Sequence, residues 1–69
     1  MTLEESIQWA LQHGAINEKE LRHQMPSIEH YCEENSITIE RFLYVLVDMV
    51  NFGLSVKTSV KEIMERASW

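Results

Sequence analysis

The amino-acid sequence predicts an all-α protein, a small orthogonal bundle of four or five short helices around a central apolar helix at about 39–52. Three observations carry this prediction. Capping residues recur at Thr2, Asn17, Thr38 and Ser55 or Thr58, each ahead of a segment whose apolar residues repeat with a helical period. The chain has only two glycines and one proline, so the punctuation of strands and turns is sparse. Segment 39–52 is apolar at most positions, yet its polar residues fall on one stripe instead of alternating.

The first helix opens on Thr2-Leu3-Glu4-Glu5, the pattern in which a threonine caps the chain and a glutamate three residues on reaches back. Leu3, Ile7, Ala10 and Leu11 keep helical spacing, with Trp9 flanking the stripe. Gly14 is expected to end the helix in a left-handed conformation. A second start follows at Asn17-Glu18-Lys19-Glu20, with Ile16 placed to staple against Leu21. Leu21, Met25, Ile28 and Cys32 then form one stripe, but Pro26 interrupts it. Proline lacks a backbone donor and disfavours helical angles at the residue before it. Either the helix kinks there or, the favoured expectation, one short helix ends near His23 and another starts with Pro26 in its first turn.

Thr38 caps the central helix. There Ile39, Phe42, Leu43, Val45, Leu46, Val47, Met49, Val50 and Phe52 leave only Glu40, Arg41, Tyr44, Asp48 and Asn51 as a polar stripe. Such a helix is buried on most sides. Gly53 ends it, and Ser55 or Thr58 caps the last helix, whose apolar face is Val56, Val60, Ile63, Met64 and Ala67. A tryptophan at position 69 frays into solvent unless it folds back on the core or meets a partner.

Length and charge narrow the function. Sixty-nine residues form a single domain, 1–69, near the lower size at which one core suffices. Cys32 is the only cysteine, so no internal disulfide can supplement that core. A second chain can. Eleven acidic residues against six basic ones give a net charge of −5, which disfavours broad nucleic-acid binding. The imbalance lies wholly in residues 1–36, where seven glutamates face only Lys19 and Arg22. Glu4 and Glu5 stand where a secretory leader needs basic residues, and the apolar stretch near Leu43–Val50 is far shorter than the ~20 residues of a membrane span. A cytoplasmic protein without membrane contact is expected.

No glycine-rich phosphate loop, nucleophile motif or paired metal-ligand motif is visible, so no catalytic residue, cofactor, metal or small-molecule substrate is expected. His23 and His30 would share a face of one continuous helix, near Glu20, but two ligands do not make a metal site, and two solvated histidines are the plainer reading. Cys32 continues the apolar stripe, which suits a buried small hydrophobe better than a reactive thiol.

Segment 51–58 has the grammar of a helix-turn-helix, with Lys57, Thr58, Ser59 and Lys61 as candidate DNA-contacting residues. Met49 counts against it, because such motifs want a small residue five before the leucine of the turn. Glu29, Glu33 and Glu34 suggest an acidic mimic of nucleic acid, which a solvated helix face explains equally well. The leading expectation is a small non-enzymatic adaptor or regulator that acts by protein–protein binding as a homodimer. It rests on the central helix having more apolar circumference than short neighbours can cover. The candidate interface residues are Trp9, Tyr44, Phe52, Met64 and Trp69.

Overall fold

Each capping residue starts a helix. In the computed structural model, which describes residues 1–69, α1 spans Leu3–His13, α2 Glu18–Asn35, α3 Ile39–Asn51 and α4 Val56–Arg66, and there is no strand. Thr2 Oγ1 accepts from the Glu5 amide at 3.2 Å, and Glu5 Oε1 accepts from the Thr2 amide at 2.9 Å. That reciprocal pair satisfies two helix-end donors and holds the Glu5 carboxyl below its usual range, chiefly through the Thr2 amide. Asn17, Thr38 and Ser55 each accept from the amide three residues on, at 3.0, 3.1 and 3.1 Å.

Pro26 does not break the chain. Helix α2 runs through it for 18 residues, which makes the bundle four-helical. Proline removes one intrahelical bond, here to the carbonyl of Arg22, and both residues lie on the exposed side. On the opposite side Leu21, Met25, Ile28 and Cys32 are all buried. One unbroken apolar stripe against the core outweighs a local penalty.

Gly14 also differs from expectation. Its φ of −128° is extended, not left-handed. A Cβ there would sit 3.1 Å from Cδ1 of Ile16, which packs onto the core, so the Ile16 side chain would have to shift by a few tenths of an ångström to admit one. The left-handed positions are Ser36, which closes α2, and Gly53 at φ 105°, between α3 and α4.

Helix α3 packs against all three other helices. Phe42, Leu43, Leu46, Val47 and Val50 are its buried face, joined by Ile7 and Ala10 of α1, the α2 stripe, and Val56, Val60 and Ile63 of α4. The molecule measures 27 × 26 × 17 Å. Helix axes pack about 8–10 Å apart, so the short dimension holds two helix layers. Every helix, α3 included, therefore keeps one side facing outward.

Polar ties fix the layers. The Arg22 guanidinium forks onto Glu4 of α1 at 2.7 and 3.1 Å and also donates to Glu18 at 2.8 Å, which holds the Glu4 carboxyl below its usual range. Asn51 Nδ2 donates to the His13 carbonyl at 3.1 Å, fastening the end of α3 to the end of α1. Two serines occupy core positions. Ser6 Oγ donates to a Glu40 carboxylate oxygen at 3.0 Å, joining α1 to α3. Ser59 is 0 % exposed, and its hydroxyl has no partner, an arrangement that costs about 1–3 kcal/mol.

The last residues fold back. Trp69 Nε1 donates to Tyr31 Oη at 2.7 Å, its ring stacks on Phe42 with centroids 6.4 Å apart, and the Arg41 guanidinium lies 5.7 Å from the ring centre. The tail thus closes the α2–α3 end of the bundle.

Candidate protein-interaction surface

The outward side of α3 follows from its heptad-like spacing. Arg41, Tyr44, Val45, Asp48, Met49 and Phe52 step by three, one, three, one and three, so they share one face. The other helices enclose the opposite face, and this one stays open. Phe52 is 91 % and Tyr44 60 % exposed, while Val45 and Met49 are half-buried. The uncovered apolar surface is smaller than the composition of 39–52 suggests, because neighbours bury five of its side chains.

Three depressions border this ridge. On the α1 side a slot of 150 Å³ is walled by Trp9, Leu43 and Tyr44, with Ser6 and Glu40 as its polar groups. Organic substrates occupy pockets of about 300–1,000 Å³, which the slot does not reach, while a wider, shallow depression of 510 Å³ on the ridge itself is lined by Glu40, Arg41, Tyr44 and Val45. Trp9 is half-buried, stacking on His13 at 4.7 Å and on Tyr44 at 6.2 Å. This row of rings carries the ridge's aromatic surface across onto α1. On the α4 side a groove is floored by Val45, Met49, Ile63 and Ala67 and bordered by Glu62 and Arg66, which pair at 3.0 Å.

The sequence-derived interface residues do not all converge. Trp9, Tyr44 and Phe52 lie along α3 and its α1 border. Trp69 sits at the end of that ridge, beneath Arg41, and its ring is already engaged by Tyr31 and Phe42. Met64 lies elsewhere, half-buried in a groove between α2 and α4 beside Lys57 and Lys61. Its position depends on how α4 docks, which spacing along α4 does not reveal.

Of the candidate DNA-contacting residues, Lys57, Thr58 and Lys61 are exposed on α4. Ser59 is enclosed in the core and cannot reach a phosphate. Thr58 Oγ1 already accepts from the Ser55 hydroxyl at 2.9 Å. Lys19 and His23 of α2 border the same groove as Lys57, but so does Glu20. Arg66 points the other way, toward α3, so the basic residues of α4 do not form one face.

His23 and His30 share the continuous α2, and His30 pairs with Glu34 one turn on. No group of three or more His, Cys, Asp or Glu side chains converges as a metal site. Glu29 and Glu33 are exposed on α2. Burial pushes the Cys32 thiol above its usual range, with Glu29 and Glu40 adding to the effect, which disfavours the thiolate needed for reactivity. No helix is long and apolar enough to cross a membrane.

Comparisons with protein-family models, curated proteins and solved structures find no match. The functional reading therefore rests on the chemistry of this surface.

Proposed function

We propose that the protein is a small non-enzymatic adaptor or regulator that works by protein–protein binding through the outer face of α3, as a cytoplasmic homodimer. One observation carries the reading. Phe52 and Tyr44 stand exposed on one side of the central helix, beside half-buried Val45 and Met49, with no segment of the chain above them. Covering a phenylalanine side chain contributes about 1.5–3 kcal/mol, so leaving it in water forgoes a large gain for so small a core. Aromatic side chains at the centre of a patch are also the type that anchors interfaces.

The alternative, a helix-turn-helix DNA-binding regulator, is favoured by one feature: Lys57 and Lys61 stand one turn apart on α4, and neither forms an ion pair. Against it stand the net charge of −5, the enclosure of Ser59 and the opposite heading of Arg66. An acidic mimic would need a denser array than Glu29 and Glu33 on α2.

The test compares the wild-type chain with the double variant Tyr44→Ser/Phe52→Ser by light scattering after size exclusion. The wild type is expected to elute as a dimer. The variant is expected to elute as a monomer with an unchanged circular dichroism spectrum, because both side chains lie outside the core. Neither protein is expected to retard a DNA duplex at low salt. A variant that associates as strongly as the wild type, or a duplex retarded through Lys57 and Lys61, overturns the proposal.

A further inference from the structure

The outer face of α3 carries two charges along the centre of its ridge, Arg41 and Asp48. Neither forms an ion pair within the chain. Seven residues separate them along the helix, about 10.5 Å at the rise of an α-helix, too far for them to meet each other. Their midpoint falls between Tyr44 and Val45, in the half of the ridge away from Phe52.

That symmetry has a consequence for self-association. A two-fold axis through the midpoint, perpendicular to α3, lays a second α3 antiparallel on the first. Such an interface is isologous, so every contact between unlike residues occurs twice. Arg41 of each copy then faces Asp48 of the other, and Tyr44 of each faces Val45 of the other at the crossing. Phe52 of the second copy is carried past Arg41, toward the end of the first copy where Trp69 folds back. A parallel arrangement would set arginine against arginine and aspartate against aspartate.

We infer that the partner on this face is a second copy of the chain, packed α3 against α3 in antiparallel register, with the reciprocal Arg41–Asp48 pairs selecting that register. This rests on reading the outer face of α3 as an association surface. The apolar ridge supplies the affinity. Exposed charge pairs add little to affinity but discriminate strongly against arrangements that bring like charges together.

Charge exchange tests it. Sedimentation velocity is run on the wild type, on Arg41→Glu, on Asp48→Lys and on the double variant Arg41→Glu/Asp48→Lys. Each single reversal creates two like-charge contacts and is expected to raise the dimer dissociation constant about tenfold or more at low salt, with a smaller effect at high salt. The double variant restores both pairs with the signs exchanged and is expected to return to within a few-fold of the wild type. Mixing the two single variants is expected to give heterodimers, because both contacts are then complementary. A wild-type dimer indifferent to either reversal overturns the antiparallel register while leaving association through α3 intact. A wild-type chain that sediments at its monomer mass of 8.1 kDa up to millimolar concentration overturns the pairing and the homodimer together.

Discussion

Phe42→Ala is expected to lower the thermal midpoint by roughly 15–30 °C, the largest loss from any single truncation in this chain. Phe42 is 0 % exposed on the inner face of α3. The Tyr31 ring meets it edge-on at 5.7 Å and the Trp69 ring stacks on it at 6.4 Å, so it joins α2, α3 and the carboxy-terminal tail. Removing a buried phenylalanine costs about 3–5 kcal/mol, from lost transfer energy plus the cavity left behind. A domain of this length has a total stability of only about 3–10 kcal/mol at 0.05–0.15 kcal/mol per residue. The chain has no disulfide to limit the damage. Thermal melting followed by far-ultraviolet circular dichroism measures the change, and a fall of less than about 5 °C would place Phe42 outside a packed core.

The second large effect has the opposite sign. Pro26→Ala is expected to raise the midpoint by about 10 °C. Within a helix proline is about 3 kcal/mol less favourable than alanine, and replacing it restores the bond to the Arg22 carbonyl. A more flexible unfolded chain returns up to about 1 kcal/mol of that gain, leaving roughly 2 kcal/mol. Pro26 is exposed, so its ring contributes little packing that alanine would lose. An unchanged or lower midpoint contradicts a continuous α2 and favours two shorter helices separated at Pro26. Either result decides how the second half of α2, with Ile28 and Cys32, is held on the core.

These two residues mark what a sequence of this kind discloses. Helix starts are legible because capping is local: Thr2, Asn17, Thr38 and Ser55 each bond an amide only three residues away. The central place of α3 is legible from its composition, since only a surrounded helix can be apolar on most sides. Pro26 is misleading because local propensity argues for a break, whereas the continuous stripe from Leu21 to Cys32 decides for one helix. Gly14 misleads for a related reason. The spacing identifies a helix end, but the backbone there is extended, and what crowds the position is the approach of Ile16 and not the sign of φ.

The two interior serines were within reach of the same spacing rules. Ser6 falls in phase with Leu3, Ile7 and Ala10, and Ser59 with Val56, Val60 and Ile63. Polarity masks them, although phase places both on buried faces. Of the candidate surface, Tyr44 and Phe52 could be located because the stripe of α3 fixes which side faces outward. Met64 could not, since its exposure and neighbours depend on how α4 crosses α2. The basic residues of α4 differ: Arg66 is nine residues past Lys57, half a turn round the helix, so spacing alone already parts it from Lys57 and Lys61, and docking adds only that it borders α3.

Association through α3 requires a second copy of the chain to cover its outer face. A dilution series of amide nitrogen–proton correlation spectra, from millimolar to micromolar protein, locates the contact residue by residue. Concentration-dependent shifts are expected at Arg41, Tyr44, Val45, Asp48 and Phe52, with Glu29, Glu33 and the Lys57–Lys61 turn unmoved. A spectrum that does not change across the series, or shifts gathered on α2 and α4 and absent from α3, would contradict it.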